Sequence, residues 1–335
     1  MCFRKVDMGG AKQETGVLLG LDIGGTQIKA ACVDESGTII QSRRVNTPAS
    51  LEDFRQAVRG LLSELLTPPV AIGALGIGCK GIINPQTTRV EVLPGTVHYL
   101  EGELLAEIVA PVLPTGIPIT ADNDARVALA GEVAWGVARE CRDVVMLTLG
   151  TGVGGGVLAD GRILRGASGA AGHIGHLTMD PDGPLCVCGN RGCLETLFSA
   201  RTIESDAFAA LHRGVETRLA ACQPKAPTCA EVFELAQQGD AVARDIVQRA
   251  TKVLGAALAS LAHVLDPEVI ILGGQISAAS DALLLEPLRK DVGWRARCLL
   301  RRDVPVVRSK LVDPSGVIGA AALALEARWG KDLPR

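Results

Sequence analysis

Asp22-Ile23-Gly24-Gly25-Thr26-Gln27-Ile28-Lys29 lies between two apolar runs, Val17 to Asp22 and Ile28 to Val33. The paired glycines interrupt the first run so that the second can fold back on it. Asp34-Glu35-Ser36-Gly37 makes a second turn, and Thr38 to Val45 returns as a third strand. The same order restarts about 130 residues downstream. There a strand Asp143 to Leu149 meets Gly150-Thr151-Gly152, a strand follows from Gly155 to Leu158, and the turn Ala159-Asp160-Gly161-Arg162 leads to Ile163 and Leu164. Each copy is followed by helices and a further strand. This self-similarity, clearer in pattern than in identity, implies two related α/β domains facing each other.

Between and after the copies the periodicity predicts further elements. Ser50 and Asp53 resemble a capping box ahead of a helix carrying Leu51, Phe54, Val58, Leu61, Leu62 and Leu65 at helical spacing. Val70 to Ile77 and Ile117 to Ala121 read as strands, and Leu100 to Val109 as a helix. Later helices are expected at Thr228 to Gln238, Ala241 to Leu265, Ala279 to Leu288 and Ser315 to Trp329, with a strand at Val269 to Leu272.

Composition narrows the function classes. The 335 residues carry 34 Lys and Arg against 37 Asp and Glu, a net charge of -3, which excludes a basic nucleic-acid surface as the organising theme. An apolar share of 47% excludes intrinsic disorder, and 3% aromatics argues against a stacking platform, so a polar ligand would be held by hydrogen bonds. No apolar stretch is long enough to span a membrane. Met1 to Gly16 lack the apolar core of a signal peptide and are expected to be a loose, disordered extension. Seven of the ten cysteines are scattered, which points to a reducing cytoplasm, where a cluster binds metal more often than it forms disulfides.

Five places carry chemistry. The Gly24-Gly25 turn lets backbone N–H groups approach a phosphate; Thr26 adds a hydroxyl, Lys29 a charge, and Asp22 a carboxylate able to hold Mg²⁺ through water. A lone Gly-Gly is usually an ordinary hairpin turn, but Gly150-Thr151-Gly152 occupies the matching place in the second copy. Ile271-Leu272-Gly273-Gly274-Gln275 follows an apolar strand, where backbone could pass close to an adenine or ribose. Asn123 and Asp124, at the start of an alanine-rich helix, read first as a helix cap, the more frequent use of such residues there, and otherwise as an acceptor ligand beside a general base. The fifth is His176 with Cys186, Cys188 and Cys193, spaced H-x9-C-x-C-x4-C in a Gly/Pro-rich loop. Three thiolates and an imidazole complete a tetrahedral structural Zn²⁺ site with no open position, so the metal would fix a loop carrying His173 and Glu195 rather than do chemistry.

The two glycine turns and the third Gly-Gly resemble the ATPase architecture shared by hexokinases, actin and Hsp70 chaperones, a two-domain α/β fold. With ADNDARVALAGE, GHIGH and CVCGNRGC, nearly the whole chain resembles the ROK family (repressor, open reading frame, kinase). That resemblance implies an ATP-dependent sugar kinase. Asp124 matches the catalytic base. Asn123, His176, Glu195 and the Lys80-Gly81 loop match the sugar side; Gly24, Gly25, Thr26, Thr151 and Gly152 match phosphate contacts; Gly273 and Gly274 match the adenosine contact. It also implies a small domain over residues 17–121, with 313–335 packing back on it, and a large one over 122–312 with its zinc loop at 173–195. A cytoplasmic homodimer acting on a small sugar and ATP is expected, with no nucleic-acid or membrane partner. The family's repressors carry an N-terminal winged helix-turn-helix, and the 21 residues before Asp22 show no helical pair, so DNA binding is not expected.

Three departures fall on the sugar side. His173 stands where the family has Glu in Glu-x-Gly-His, Lys80 where it has Pro, and Leu93-Pro94-Gly95-Thr96 lacks the asparagine of glucose-directed members. A carboxylate accepts from two hydroxyls, whereas a neutral imidazole accepts one hydrogen bond and donates one. The expected acceptor is therefore a hexose or an amino or N-acyl hexose, the alternative being a sugar-binding regulator without kinase activity.

Overall fold

The computed structural model describes residues 16–67, 71–93, 95, 97–311 and 315–329. The expected N-terminal extension (Gly16 apart), Pro94 and Thr96 lie outside them. The first half contains β1 (Val17–Ile23), β2 (Gln27–Val33), β3 (Ile39–Asn46), α1 (Leu51–Leu65), β4 (Ile72–Cys79), β5 (Ile82–Ile83), β6 (Val90–Val92), α2 (Leu105–Val109), β7 (Ile119–Asn123) and α3 (Asp124–Trp135). The second contains β8 (Val144–Leu149), β9 (Val153–Ala159), β10 (Arg162–Ile163), α4 (Leu194–Leu197), α5 (Ala200–His212), α6 (Cys229–Gln237), α7 (Ala241–Leu265), β11 (Val269–Gly273), α8 (Glu286–Leu300), β12 (Val306–Arg308) and α9 (Ser315–Trp329).

Two five-stranded sheets follow one plan, β3-β2-β1-β4-β7 and β10-β9-β8-β11-β12. In each, an antiparallel meander of three strands continues into two strands that run parallel to its first. The sequence repeat is thus a structural repeat. Central strands such as β1 (VLLGLDI) are apolar on both faces because both are covered; the edge strand β3 (IIQSRRVN) leaves Arg43 and Arg44 to solvent. On one face of the first sheet α1 buries Phe54, Val58, Leu61, Leu62 and Leu65. On the other lies α9, an Ala/Gly-rich helix that also packs on α3. The approach is close enough to require glycine: a β-carbon at Gly20 or Gly76 would lie 2.0 or 1.8 Å from a carbonyl oxygen of α9. The second sheet packs its core against α7, the longest of the described helices.

Two helix expectations change. Leu100 to Val109 is not one helix: a single turn at His98–Leu100 ends at Gly102 (φ +89°), and only Leu105–Val109 is α-helical. The helix expected at Ala279 to Leu288 begins as one wide turn at Asp281–Leu285 and runs on as α8 to Leu300. Along Glu286–Leu300 only Leu288, Val292 and Ala296 are buried, too thin a stripe amid the charges to read as helix. No described helix is long and apolar enough to cross a membrane.

Candidate active site

Three parallel strands deliver the acidic cluster. The register aligns Asp22, Gly78 and Asp122, then Ile23, Cys79 and Asn123, across β1, β4 and β7. Asp22, Lys80, Asn123 and Asp124 therefore emerge together at the C-terminal ends of these strands, where open α/β sheets bind ligands. Asn123 caps α3: its Oδ1 accepts from the N–H groups of Ala125 (3.0 Å) and Arg126 (3.4 Å). Its Nδ2 donates to the Gly81 carbonyl at 3.0 Å, so one amide ties the start of α3 to the β4–β5 loop. Gly81 has φ +85°, and a β-carbon there would lie 2.1 Å from the Val92 carbonyl oxygen.

Burial raises the pKa of Asp124, and the ammonium of Lys80 opposes that rise. Asp22 is pushed up to about 6 by burial and by the charge of Asp124, against Lys29 and Lys80. Lys29 is its cross-strand partner on β2. The Asp22 carboxyl faces the first turn of α9, where a β-carbon at Gly316 would lie 2.3 Å from Oδ2. A cation binding here would relieve the repulsion between two carboxyls, which fits a hydrated Mg²⁺ near Asp22.

The glycine turns sit at the matching sheet edges. Gly24 donates to the Gln27 carbonyl at 3.1 Å, and the Thr47 hydroxyl donates to the Gly24 carbonyl at 2.8 Å. Gly25 is half-buried, and Thr26 and Thr151 are exposed at their turn tips. Gly150 donates to the Gly152 carbonyl at 3.0 Å, and Glu195 Oε2 accepts the next N–H, that of Val153, at 3.0 Å. A β-carbon at Gly152 would lie 2.1 Å from that oxygen. The third turn abuts the second: Gly273 pairs with Thr148, and Gly274 (φ +79°) lies against the backbone of Leu149. The start of β9 meets the start of α3, where a β-carbon at Gly154 would lie 2.8 Å from Cβ of Ala125.

The knuckle brings its four expected ligands together. One ligand atom from each of His176, Cys186, Cys188 and Cys193 lies within 4.8 Å of all the others. His176 Nδ1 is 3.5 Å from Cys186 Sγ, and the sulfurs of Cys188 and Cys193 are 3.6 Å apart. A tetrahedron with Zn–S near 2.3 Å and Zn–N near 2.0 Å has edges of about 3.5–3.8 Å, so the donor set fits Zn²⁺. The loop closes on itself through the Cys186 N–H to the Asn190 carbonyl (2.7 Å), and Leu194 N–H donates to the Leu177 carbonyl (2.8 Å).

His173 is half-buried, its ring centroid 6.1 Å from that of His176. Its Nε2 is buried with no hydrogen-bond partner among the described residues. Burial, Arg126 and His176 all lower its pKa, which favours the neutral ring. Sequence reasoning passed over Asp122, Arg126 and Arg165, which lie beside this site. Arg126 Nε donates to Asp122 Oδ1 at 2.6 Å, and Arg165 Nε to Asp122 Oδ2 at 2.8 Å. The four-residue spacing of Asp122 and Arg126 across a strand-to-helix junction was the available signal.

Comparison with known proteins agrees with this geometry. The chain is 35% identical over 317 residues to a glucokinase from Streptomyces coelicolor, covering 93% of this chain and 98% of that one. It is 36% identical over 318 residues to an N-acetylmannosamine kinase from Citrobacter koseri, covering 91% and 98%. Its fold matches a ROK family glucokinase from Streptomyces griseus, solved with glucose and AMPPNP, at a TM-score of 0.78 and 32% identity over 94% of this chain and all of that one. The ROK family model matches residues 18–327. On the fold, the knuckle and these matches together, the chain belongs to the ROK family.

Proposed function

We propose that this protein is an ATP-dependent sugar kinase whose acceptor is a hexose or an amino or N-acyl hexose. The observation that carries the reading is the placement of Asp124, a carboxyl with a raised pKa at a rigid helix start, in one cluster with Asp22 and Lys80. The similarity to a glucokinase and to an N-acetylmannosamine kinase supports the same class.

In this reading the phosphates of ATP lie between the Gly24-Gly25-Thr26 and Thr151-Gly152 turns, with the adenosine against Gly273 and Gly274. Asp22, with Lys29 beside it, would hold Mg²⁺ through water, which when bound offsets the phosphate charge. The acceptor lies against Asn123, His173, Glu195, the Gly81 loop and the Nε2 side of His176. Asp124 accepts the proton of the attacking hydroxyl. The oxygen–phosphorus bond to the sugar forms as the bond from the γ-phosphorus to the bridging oxygen breaks, and ADP leaves with that electron pair. Zn²⁺ would be held by His176, Cys186, Cys188 and Cys193 and would keep the loop in shape. The first sheet with the C-terminal helix would form one moving unit, its boundary at the end of β7 rather than at residue 121, and the second sheet with its helices the other; their closure would exclude water. The enzyme acts as a homodimer in the cytoplasm, without nucleic acid or membrane.

The test is ADP release from Mg-ATP against glucose, mannose, fructose, allose, galactose, glucosamine, N-acetylglucosamine and N-acetylmannosamine. Sugar-dependent release with at least one supports the reading. No release with any, and no sugar-dependent shift in melting, would overturn it.

A further inference from the structure

Arg126 is fully buried, yet it bonds outward from its own helix. Its Nη1 donates to the Ala171 carbonyl at 2.6 Å and its Nη2 to the Gly169 carbonyl at 2.9 Å, while Nε holds Asp122. These carbonyls belong to the loop that leaves β10 and ends at His173 and His176. The loop turns through Gly166, Gly169 and Gly172, all at φ between +72° and +85°. At Gly169 it touches the first half of the chain, where a β-carbon would lie 2.6 Å from the Ile83 carbonyl oxygen. On the outer side of Asp122, Arg165 holds both Asp122 and, at 3.3 Å, Glu326 of α9.

We infer that Arg126 is a positioning residue: its guanidinium locks the acceptor-side loop, 165–173, to the helix that starts with Asp124. The physical reason is the fork. One planar guanidinium reaches two carbonyls and one carboxylate at once, which a lysine ammonium cannot match in geometry. Arg126 sits two residues after Asp124 and bonds two and four residues before His173, so the span between base and acceptor contacts is bridged by a single side chain. A misplacement of about 1 Å at such a span can cost on the order of 100-fold in rate. The inference rests on the sugar-kinase reading for its kinetic consequence and on the bonds alone for the clasp.

The test compares Arg126→Lys and Arg126→Met with the wild type in the full-length, zinc-replete protein. Amide exchange of residues 166–176 is followed beside steady-state kinetics. Arg126→Met is expected to lose protection in this loop while β8 and β9 keep theirs. Its kcat/KM for the sugar should fall about 10- to 100-fold, with KM for ATP within about twofold of wild type. Arg126→Lys, which keeps the buried charge, should fall between; if Arg126→Met does not fold, Arg126→Lys is read by the same criteria. Unchanged loop protection overturns the inference, as does lost protection with unchanged sugar kinetics, or a parallel loss in the sugar and ATP constants. If the wild type phosphorylates no sugar, the activity reading fails instead, and loop protection still decides the clasp.

Discussion

Glu195 Oε2 accepts the backbone N–H of Val153 at 3.0 Å, so the residue two places beyond the last knuckle cysteine braces the second glycine turn. The Cys/His loop and the second glycine turn are therefore one mechanical unit, although none of the four Cys and His residues lies in that turn. Removing the metal should disturb donor binding as well as the sugar side. Chelation is expected to lower the melting temperature and cut activity at least about tenfold, with Zn²⁺ restoring both. Metal analysis before and after chelation, beside melting curves, checks this. A chelated protein with unaltered melting would remove the structural role.

Asp22 sets function against stability. A carboxyl whose folded pKa lies above its unfolded value favours folding when protonated. With 3.8 rising to about 6, that contribution is complete below about pH 4 and is lost as pH climbs through 6. Asp22→Asn should therefore stabilise the ligand-free protein at pH 7.5, by of order 2 kcal/mol, and flatten its melting temperature between pH 5 and 7.5. The same variant should bind Mg-ATP more weakly. Melting curves across pH, with and without Mg-ATP, show both effects.

Lys80 opposes the burial that raises the pKa of Asp124. A base works only when ionised, so with Asp124 as the proposed base the acid limb of the kcat/KM profile would report that carboxyl. Lys80→Met removes the opposing charge and should move the acid limb to higher pH. The variant would lose proportionally more activity on the acid limb than on the plateau of its profile. A profile that scales down without moving would assign Lys80 another role.

His173 presents an imidazole whose Nε2 has no partner among the described residues and whose surroundings favour the neutral form. Replacing it by a carboxylate changes both hydrogen-bond capacity and charge. His173→Glu should reorder kcat/KM across the sugar panel, between plain and N-acyl hexoses, by about tenfold, the worth of roughly one hydrogen bond. An unchanged order would remove His173 as a selector.

The fold was readable where glycine turns punctuate apolar strands. The Gly24-Gly25 and Gly150–Gly152 turns place β1, β2, β8 and β9, and the parallel strands follow from the repeat. It was less readable where burial is thin or a single turn intervenes, as at Gly102 and along α8. The knuckle was legible because His and Cys ligands at metal spacing have few other uses. The clasp made by Arg126 was not, because beyond Asp122 its partners are main-chain carbonyls of Gly169 and Ala171, which no side-chain pattern announces. Nor was the double duty of Asn123, whose cap and whose bond to Gly81 use opposite ends of one amide.

The central claim is that Asp124 takes the proton of the sugar hydroxyl. The direct measurement is turnover of Mg-ATP by Asp124→Asn with the sugar the wild type prefers, beside the sugar-dependent melting shift of both proteins. The amide keeps the shape and cannot accept the proton. We expect kcat to fall about 10²- to 10⁴-fold while the melting shift is retained. Turnover within a few-fold of wild type would contradict the assignment.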